Sequence, residues 1–508
     1  MAHEVELKLR IQPADAARLR RHPAIRNAII GKPVTRKLIS IYYDTPQLAL
    51  LDAGISLRVR RMAGIWSQTV KGSGHSLAGL HQRMEWEDAI ASGHPDFSKI
   101  TEPALTEIFD DEALRTALIP IFSTEVRRTE WNLTFDNDDQ VELALDLGEL
   151  VVGEKREPIN EIELELKGGN AGRLFDLALD LQQGIPLELE NISKAQRGYA
   201  HYRPQPPAIV KARPASLERG MSAHAALKQI AWECLSHLQG NQDMVLEGDD
   251  IEGVHQMRVA LRRLRSMFAV FRNVMNEASC TAIKEDLRWI TGVLGAARDL
   301  DVFTTQTLPP ILNQLKTHPG LHQLRDKAVE AQRQAYADAR TAISSQRYHR
   351  FLLSLGAWLE NERWRDTSTA HENSNALEIA QAMLARRYKQ LRQHGRRLMH
   401  MHPEERHITR IAAKKLRYAA EFFYGLYPAK MTRPFTQALT QLQDILGVLN
   451  DIAVTENLIR QLIGNHPART LDESLHIFAG WNACNAMHRL EVMESTWRSF
   501  KKTRPFWN

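Results

Sequence analysis

The stretch HEVELKLR, residues 3–10, decides the fold of the N-terminal region, because charged and apolar residues alternate through it without a slip. Successive side chains of a β-strand point to opposite faces of a sheet, so Glu4, Glu6 and Lys8 share one face and the apolar residues share the other. A solvated edge strand shows the same alternation. Taken alone, the stretch predicts a strand with one buried face and one face that carries two acids and a base.

The same alternation recurs in six further segments of the N-terminal region. They are ISLRVR at 55–60, WSQTVK at 66–71, RMEWE at 83–87, STEVR at 123–127, VELALDL at 141–147 and EIELELK at 161–167. If the apolar faces pack outward against helices, the charged faces line the interior of a barrel. Ionised groups in a confined space are costly unless a partner or a ligand satisfies them, so this concentration of charge predicts a charged ligand.

The two signs of charge suit different parts of one ligand. The acids offer the hard oxygen ligands that Mg²⁺ or Mn²⁺ prefers, and they are Glu4, Glu6, Glu163 and Glu165. The bases offer donors that wrap a polyanion, and they are Lys8, Arg58, Arg60, Lys71, Arg83 and Arg127. Acids for a metal beside bases for phosphate predict a metal-bound polyphosphate.

An ordered set of motifs in residues 1–202 resembles the CYTH domain, also called the triphosphate tunnel metalloenzyme family. The motifs are Glu4-x-Glu6-x-Lys8, YYDTPQLALLDAGISLRVRR at 42–61, TVKG at 69–72, EWE at 85–87 and EIELELK at 161–167. The resemblance implies an α+β domain built on an eight-stranded antiparallel β tunnel. It also implies a divalent metal requirement, Mg²⁺ or Mn²⁺, with two ions during turnover, and substrates that carry a triphosphate.

The resemblance also implies roles for single residues. The metal-binding candidates are Glu4, Glu6, Asp146, Glu163 and Glu165. The substrate-binding candidates are Lys8, Arg58, Arg60, Lys71, Arg83, Arg127 and Lys194, and the catalytic candidates are Glu4, Glu6, Lys8, Glu85 and Glu87. In this reading one metal bridges the phosphates, a second lowers the pKa of the attacking water, and the bases stabilise the charge of the transition state.

Composition predicts a soluble multidomain protein. A chain of 508 residues is too long for one core, so two or three domains are expected. Its three cysteines form no CxxC pair, which favours reduced thiols in the cytoplasm. The stretch MAHEVELKLR lacks an apolar signal core, and no run of eighteen apolar residues occurs, so neither secretion nor a membrane partner is expected.

A proline-rich stretch at 203–217 predicts an extended linker between two domains. Beyond it, residues 218–508 space apolar residues three and four apart, which predicts an all-α domain. This domain contains a repeat. HQMRVALRRLR at 255–265 recurs as HITRIAAKKLR at 407–417, and LGAARDLDV at 294–302 recurs as LGVLNDIAV at 446–454 with the same displacement. Two helical halves about a pseudo-twofold axis are predicted.

Each repeated helix carries a basic stripe on one face. The first stripe is His255, Arg258, Arg262 and Arg265, and the second is His407, Arg410, Lys414 and Arg417. A solvated helix explains one such stripe, but no acid interrupts either copy, and like charges at this spacing repel. The duplication therefore favours a bound polyanion over a plain surface.

This half resembles the CHAD domain, which implies that it binds inorganic polyphosphate on a basic concave surface. Arg298 joins the implied set, whereas Asn450 stands at the equivalent place in the second repeat. We expect the two domains together to hydrolyse inorganic triphosphate to diphosphate and phosphate and to bind polyphosphate. The alternatives are a CYTH enzyme for an organic triphosphate, such as thiamine triphosphatase or adenylate cyclase, and a non-catalytic scaffold that binds polyphosphate or RNA. No specific nucleic-acid partner is expected under the preferred reading.

Overall fold

The computed structural model describes residues 2–72, 74–365, 374–396, 403–464 and 469–507. The chain forms two compact units. The first comprises residues 1–206 and 344–363, and the second comprises residues 207–343 and 364–508. The first unit contains the sheet, and the second is helical.

The described residues form ten strands that belong to one antiparallel sheet. The strands are β1 Ala2–Ile11, β2 Ile29–Asp44, β3 Ser56–Met62, β4 Ile65–Lys71, β5 His75–Leu77, β6 Leu80–Ile90, β7 Ile119–Thr134, β8 Gln140–Val152, β9 Lys155–Gly168 and β10 Leu187–Leu189. Their order is β10-β1-β9-β8-β7-β2-β3-β4-β6-β5, and pairing of β1 with β6 closes eight of them into a barrel. The predicted eight-stranded antiparallel tunnel is confirmed.

Helices surround the barrel and form the second unit. In chain order they are α1 Ala16–Arg21, α2 Pro23–Arg26, α3 Ala49–Asp52, α4 Pro103–Phe109, α5 Glu112–Ala117, α6 Gly172–Leu181, α7 Lys194–Tyr202, α8 Ala223–Gln239, α9 Gln242–Leu246, α10 Glu252–Val270, α11 Thr281–Val302, α12 Leu308–Gln314, α13 Pro319–Ile343, α14 Gln346–Glu360, α15 Ala376–His394, α16 Pro403–Phe423, α17 Ala429–Ile463 and α18 Arg469–Lys502. In the described part of the chain, none of these helices is both long and apolar enough to span a membrane.

The alternating strands bury their apolar face outside the barrel. Leu7 and Leu9 of β1 and Leu164 of β9 are fully buried. Helix α6 covers this region with an apolar face and contacts both strands. Because hydrocarbon is removed from water on the outside, the charged residues of the same strands are turned inward.

One helix lies outside the predicted domain boundaries. The sequence predicts two consecutive domains separated at 203–217, yet α14 packs on α6 and β10 of the sheet unit. Its place in the chain, inside the helical region, hides this association because helical periodicity does not reveal the packing partner. The sheet unit is therefore discontinuous in sequence.

The proline-rich stretch is extended but anchored to the second unit. The side chain of Asn241 accepts a hydrogen bond from Val210 N at 3.1 Å and donates one to Val210 O at 2.8 Å. Farther along, Ala215 and Leu217 are buried. These contacts explain why the second unit begins at residue 207.

The two helical repeats meet in a reciprocal contact that fits the predicted pseudo-twofold axis. Residues Ser222 and Asn375 form an antiparallel bridge just before α8 and α15. On one side Ala223 N donates to the carbonyl of residue 374 at 2.9 Å, and on the other Ala376 N donates to the carbonyl of residue 221 at 2.8 Å. Ser222 and Asn375 also cap their own helices through their side chains, so equivalent positions play equivalent parts.

Candidate active site and anion-binding surface

The barrel encloses a cavity of about 290 Å³ that is lined mainly by ionisable side chains. The lining acids are Glu4, Glu6, Glu85, Glu87, Glu130, Glu142, Glu163 and Glu165. The lining bases are Lys8, Arg58, Arg60, Lys71, Arg128, Lys167 and Lys194. Sequence reasoning had singled out eleven of these fifteen residues and had missed Arg128, Glu130, Glu142 and Lys167.

Strand register explains how distant residues meet in the cavity. Glu6 of β1 pairs with Glu165 of β9, and Glu165 pairs in turn with Glu142 of β8. One step along the barrel, Lys8 pairs with Glu163. Because residues at the same level of a closed sheet share its inner face, the register collects acids and bases into layers.

Three cations converge on Glu163. Lys8 Nζ lies 2.5 Å from Glu163 Oε1, Lys194 Nζ lies 2.8 Å from the same oxygen, and Arg128 binds the other oxygen. Burial alone would raise the pKa of the Glu163 carboxyl, but the three cations hold it well below its usual range. Glu163 is therefore ionised and fixes the tips of two lysines that come from opposite ends of the domain sequence.

Asp146 forms ion pairs with two of the bases that line the cavity, Arg128 and Lys194. It is fully buried, and Arg128 donates to both of its oxygens, at 2.7 and 2.6 Å. Burial opposes ionisation, yet Arg128 and Lys194 lower the pKa of Asp146 to about 2. Asp146 thus anchors two of the bases that line the cavity, and its role as a metal ligand stays a prediction.

Arg127 is on the wrong face for its predicted role. It is exposed, whereas Arg128 lines the cavity. The sequence places an arginine on each face of β7, and a shift of one residue exchanges the two faces. The inner position of Arg128 follows from its register with Asp146 of β8. Arg83, another predicted phosphate ligand, has a side chain outside the described residues.

Arg60 differs from the other cavity bases. Arg58 approaches Glu85 at 3.6 Å and Glu87 at 3.8 Å, but within the described residues Arg60 forms no ion pair, and its Nε donates to Ser40 Oγ at 3.0 Å. Burial, together with repulsion from Arg58 and Arg128, lowers the pKa of Arg60 to about 10. A guanidinium in this state is prepared for an anion that the protein itself does not provide.

The carboxylates suit a hard divalent cation in chemistry, although each now contacts a lysine. Glu4 lies 2.6 Å from Lys71, and Glu165 lies 2.6 Å from Lys167. Burial raises the pKa of Glu165, and repulsion from Glu4 and Glu142 adds to the rise. Mutually repelling oxygen donors on neighbouring strands fit Mg²⁺ or Mn²⁺. As the side chains stand, however, no group of three or more His, Cys, Asp or Glu in the described residues is arranged to hold a metal.

In the second unit, α11 completes the first basic stripe. His255, Arg258 and Arg262 lie along α10, and Arg298 of α11 is close enough to lower the pKa of His255 after burial, which is the larger cause. Burial and Arg262 likewise lower the pKa of Arg258 to about 10. Arg265, at the end of the stripe, is exposed. The structure thus brings three residues of this stripe, His255, Arg258 and Arg262, together with Arg298 in one cationic cluster.

A glycine in the repeated LG motif makes the cluster possible. A Cβ added at Gly295 of α11 would lie 2.7 Å from Arg258 Nη1. The guanidinium therefore lies directly against the α11 backbone, where Nη1 also donates weakly to Thr291 O at 3.4 Å. Asp299, at 3.9 Å, is its nearest acid and is a contact that the stripe pattern did not reveal.

The second stripe is more open. His407 is exposed, Arg410 and Lys414 are half-buried, and Arg417 pairs with Glu421 at 3.3 Å. Asn450 has a side chain outside the described residues. A further arginine, Arg263, is buried and donates to Arg213 O at 3.0 Å, so α10 also has a structural cation that sequence spacing did not separate from the stripe.

Comparisons with known proteins agree with both resemblances. The CYTH domain model matches residues 2–199 and the CHAD domain model matches residues 229–460. An inorganic triphosphatase of Haemophilus influenzae is 34% identical over 200 residues, which cover 39% of this chain and 55% of that protein. An uncharacterised Mycobacterium tuberculosis protein is 28% identical over 232 residues, which cover 44% of each chain. This chain thus spans about half the length of these relatives.

One solved structure resembles the helical region. The crystal structure of the CHAD domain from the plant Ricinus communis is 31% identical, with a TM-score of 0.51, and the match covers 58% of this chain and 98% of that chain. The match therefore extends over nearly the whole of the plant domain.

Proposed function

Because this chain belongs to the CYTH family over residues 2–199 and to the CHAD family over residues 229–460, we propose that its tunnel hydrolyses inorganic triphosphate to diphosphate and phosphate. The name of the Haemophilus relative, an inorganic triphosphatase, supports this substrate. Lining residues of both signs support a polyanion that binds together with a cation.

The observation that carries the proposal is the unpaired charge of Arg60. In the described part of the tunnel its guanidinium has only a serine hydroxyl as partner, although carboxylates line the same cavity. Arg58 and Arg128 raise the local positive potential further. A phosphate oxygen at this place would relieve the repulsion and gain charge-assisted hydrogen bonds, whereas a neutral ligand would gain neither.

The reaction places water on the terminal phosphorus and breaks its bond to the bridging oxygen, which leaves with diphosphate. Charge then spreads over the transferred group and the leaving oxygen. Arg58, Arg60 and Lys8 line the cavity and offer fixed positive charge to these oxygens. Lys8 is pre-positioned because Glu163 holds its ammonium group at 2.5 Å.

A divalent cation held by Glu4, Glu6, Glu163 and Glu165 would supply Lewis-acid polarisation of the phosphates and a bound water of lowered pKa. Cations of the chain favour the ionised form of two cavity carboxylates. Lys194, Lys8 and Arg128 lower the pKa of Glu163, and Lys71 lowers the pKa of Glu85, each against the effect of burial. The same lysine contacts Glu4, so phosphate that draws Lys71 away would release Glu4 for the cation.

A phosphate-release assay on the full chain tests the proposal. Tripolyphosphate, ATP, thiamine triphosphate and long-chain polyphosphate are compared with Mg²⁺, with Mn²⁺ and with chelator. We expect metal-dependent release that is fastest with tripolyphosphate. Faster release from an organic triphosphate would show that this class is the preferred substrate. No release from any of the four compounds would favour a non-catalytic receptor.

We further propose that the helical unit binds inorganic polyphosphate through the cluster of His255, Arg258, Arg262 and Arg298. The lowered pKa of Arg258 supports it, because burial among like charges costs free energy that a polyanion would recover. Binding is measured with chelator present, so that the tunnel does not turn over. The variant Arg262→Ala should weaken binding and reduce its salt dependence, whereas Arg333→Ala, an exposed position on α13, should leave both unchanged.

A further inference from the structure

Strand β10 has an edge that the barrel does not close. It pairs with β1 through Leu187, Glu188 and Leu189 and is the outermost strand on that side. The N–H groups of successive residues in a strand point in opposite directions, so Leu187 and Leu189 share one direction and present their N–H groups away from β1. An open edge leaves such donors without strand partners.

Two side chains of α14 satisfy these donors. Leu187 N donates to Gln346 Oε1 at 3.1 Å, and Leu189 N donates to His349 Nδ1 at 3.2 Å. Residues three apart lie on one face of a helix, and residues two apart share one edge of a strand. The distance between Gln346 and His349 along the helix thus fits the distance between Leu187 and Leu189 along the strand, so one helix face supplies both acceptors. His349 is buried, and its Nδ1 accepts only when the ring proton is on Nε2.

Further contacts hold α14 on the sheet unit. A Cβ added at Gly356 would lie 2.3 Å from Phe175 of α6, so the two helices approach closely at that residue. Beyond the end of α14, Asn361 Nδ2 donates to Asp176 Oδ2 at 3.0 Å, and Arg363 Nη2 lies 2.5 Å from Asp176 Oδ1. The helix therefore docks along its length and not only through the two strand contacts.

Strand β10 in turn places two cavity lysines. Glu190 N, one residue after β10, donates to Lys8 O at 3.0 Å, which fixes the backbone of β1 at that residue. The chain then passes through the N-cap Ser193 into α7, whose first residue is Lys194. Lys8 and Lys194 both end on Glu163 Oε1, at 2.5 and 2.8 Å. A displacement of β10 would therefore move both ammonium groups.

We propose that α14 supports the tunnel. Its residues Gln346 and His349 act as positioning residues that hold β10 and thereby place Lys8 and Lys194 to bind phosphate. The catalytic part of this inference rests on the proposed function. The structural part does not, since it concerns only how the sheet edge is completed. It follows that a fragment ending in the proline-rich stretch lacks the acceptors of its own edge strand.

The test uses the full chain with three substitutions on α14. His349→Leu keeps an apolar volume and removes the acceptor, whereas His349→Asn keeps an acceptor oxygen at the same bond distance from Cβ as Nδ1. Arg350→Ala, an exposed neighbour on the same helix, is the matched control. Hydrogen exchange of peptides that cover residues 186–191 reports the strand edge, and kcat/KM for tripolyphosphate reports the tunnel, at a temperature where circular dichroism shows all variants folded.

We expect His349→Leu to speed exchange in these peptides by about tenfold, because a buried donor loses its partner. It should also lower kcat/KM by about tenfold, with His349→Asn restoring both to within about threefold. Unchanged exchange in His349→Leu would overturn the inference. Fast exchange with unchanged kcat/KM would overturn the positioning of the lysines. If the wild-type chain releases no phosphate, the proposed function fails, and exchange alone decides the edge contact.

Discussion

The role of Arg60 can be separated from the stability of the tunnel by one substitution. Arg60→Gln keeps a polar side chain near Ser40 and removes the positive charge. No described carboxylate loses an ion-pair partner, because Arg60 forms none. Removing the charge also ends the repulsion from Arg58 and Arg128 that, with burial, lowers the pKa of Arg60 to about 10. A cation whose pKa is lowered on folding costs folding free energy at neutral pH, so the substitution should not reduce stability.

The expected loss lies in the reaction. A hydrogen bond between a charged donor and phosphate contributes about 1.5–3 kcal/mol, which corresponds to about 10- to 150-fold in kcat/KM. The matched comparison is Arg128→Gln, which leaves Asp146 without its bidentate partner and Glu163 with one cation fewer. Removing one member of a buried ion-pair network costs about 3–5 kcal/mol. Arg60→Gln should therefore lower kcat/KM without loss of stability, whereas Arg128→Gln should lower stability.

Two measurements decide between these expectations. Steady-state phosphate release from tripolyphosphate gives kcat/KM, and hydrogen exchange at increasing urea concentration, read from peptides of residues 1–206, gives the unfolding midpoint of the sheet unit. Arg60→Gln should lower the first and leave the second unchanged, while Arg128→Gln should lower the midpoint. An Arg60→Gln variant with kcat/KM within about threefold of wild type would refute the anion role. If Arg60→Gln lowers the urea midpoint as far as Arg128→Gln does, the inference that the charge of Arg60 costs folding free energy is refuted.

Three other outcomes are expected. Glu6→Gln should abolish metal-dependent phosphate release while circular dichroism remains unchanged, and retained activity would remove Glu6 from the metal site. With chelator present, the slope of log polyphosphate affinity against log salt concentration should become smaller by about one in Lys414→Ala and in Arg262→Ala. An unchanged slope in both variants would exclude the two stripes as the polyphosphate-binding surface. Burial lowers the pKa of His349 to about 4, so its unfolded form binds the extra proton below about pH 6.5, and stability should fall between pH 6.5 and 4. Urea midpoints measured across this pH range should fall less steeply in His349→Asn than in the wild-type chain. An equal fall in both would contradict the assignment of the pH dependence to His349.

Local periodicity accounts for what could be predicted of the fold. Alternation with period two in segments such as EIELELK identifies strands and their charged face, because side-chain direction in a strand depends only on position along it. The recurrence of HQMRVALRRLR as HITRIAAKKLR reveals two helical halves before any contact is known. For the same reason most of the acids and bases that line the cavity were identifiable from their motifs.

Register and packing account for what was missed. Arg127 and Arg128 are adjacent and chemically identical, and only the pairing of β7 with β8 turns Arg128 toward Asp146. The motif of Asp146 reveals its charge but not its complete burial or the two hydrogen bonds that it accepts from Arg128. Lys167 and Glu142 lie inside alternating segments that had been recognised, but their approach across β8 and β9 depends on the pairing of the two strands.

The sequence by itself determined the kinds of elements, the presence of a charged interior and the duplication of the basic helix, since each is written as a spacing along the chain. Only the tertiary structure decided which charge remains without a partner and which helix completes the sheet. Among the described residues Arg60 forms no ion pair, whereas Arg58 and Arg128 contact the nearby acids. Helix α14 joins β10 because two of its side chains accept hydrogen bonds from two strand N–H groups. Both outcomes depend on distances between segments remote in sequence, and no local pattern contains those distances.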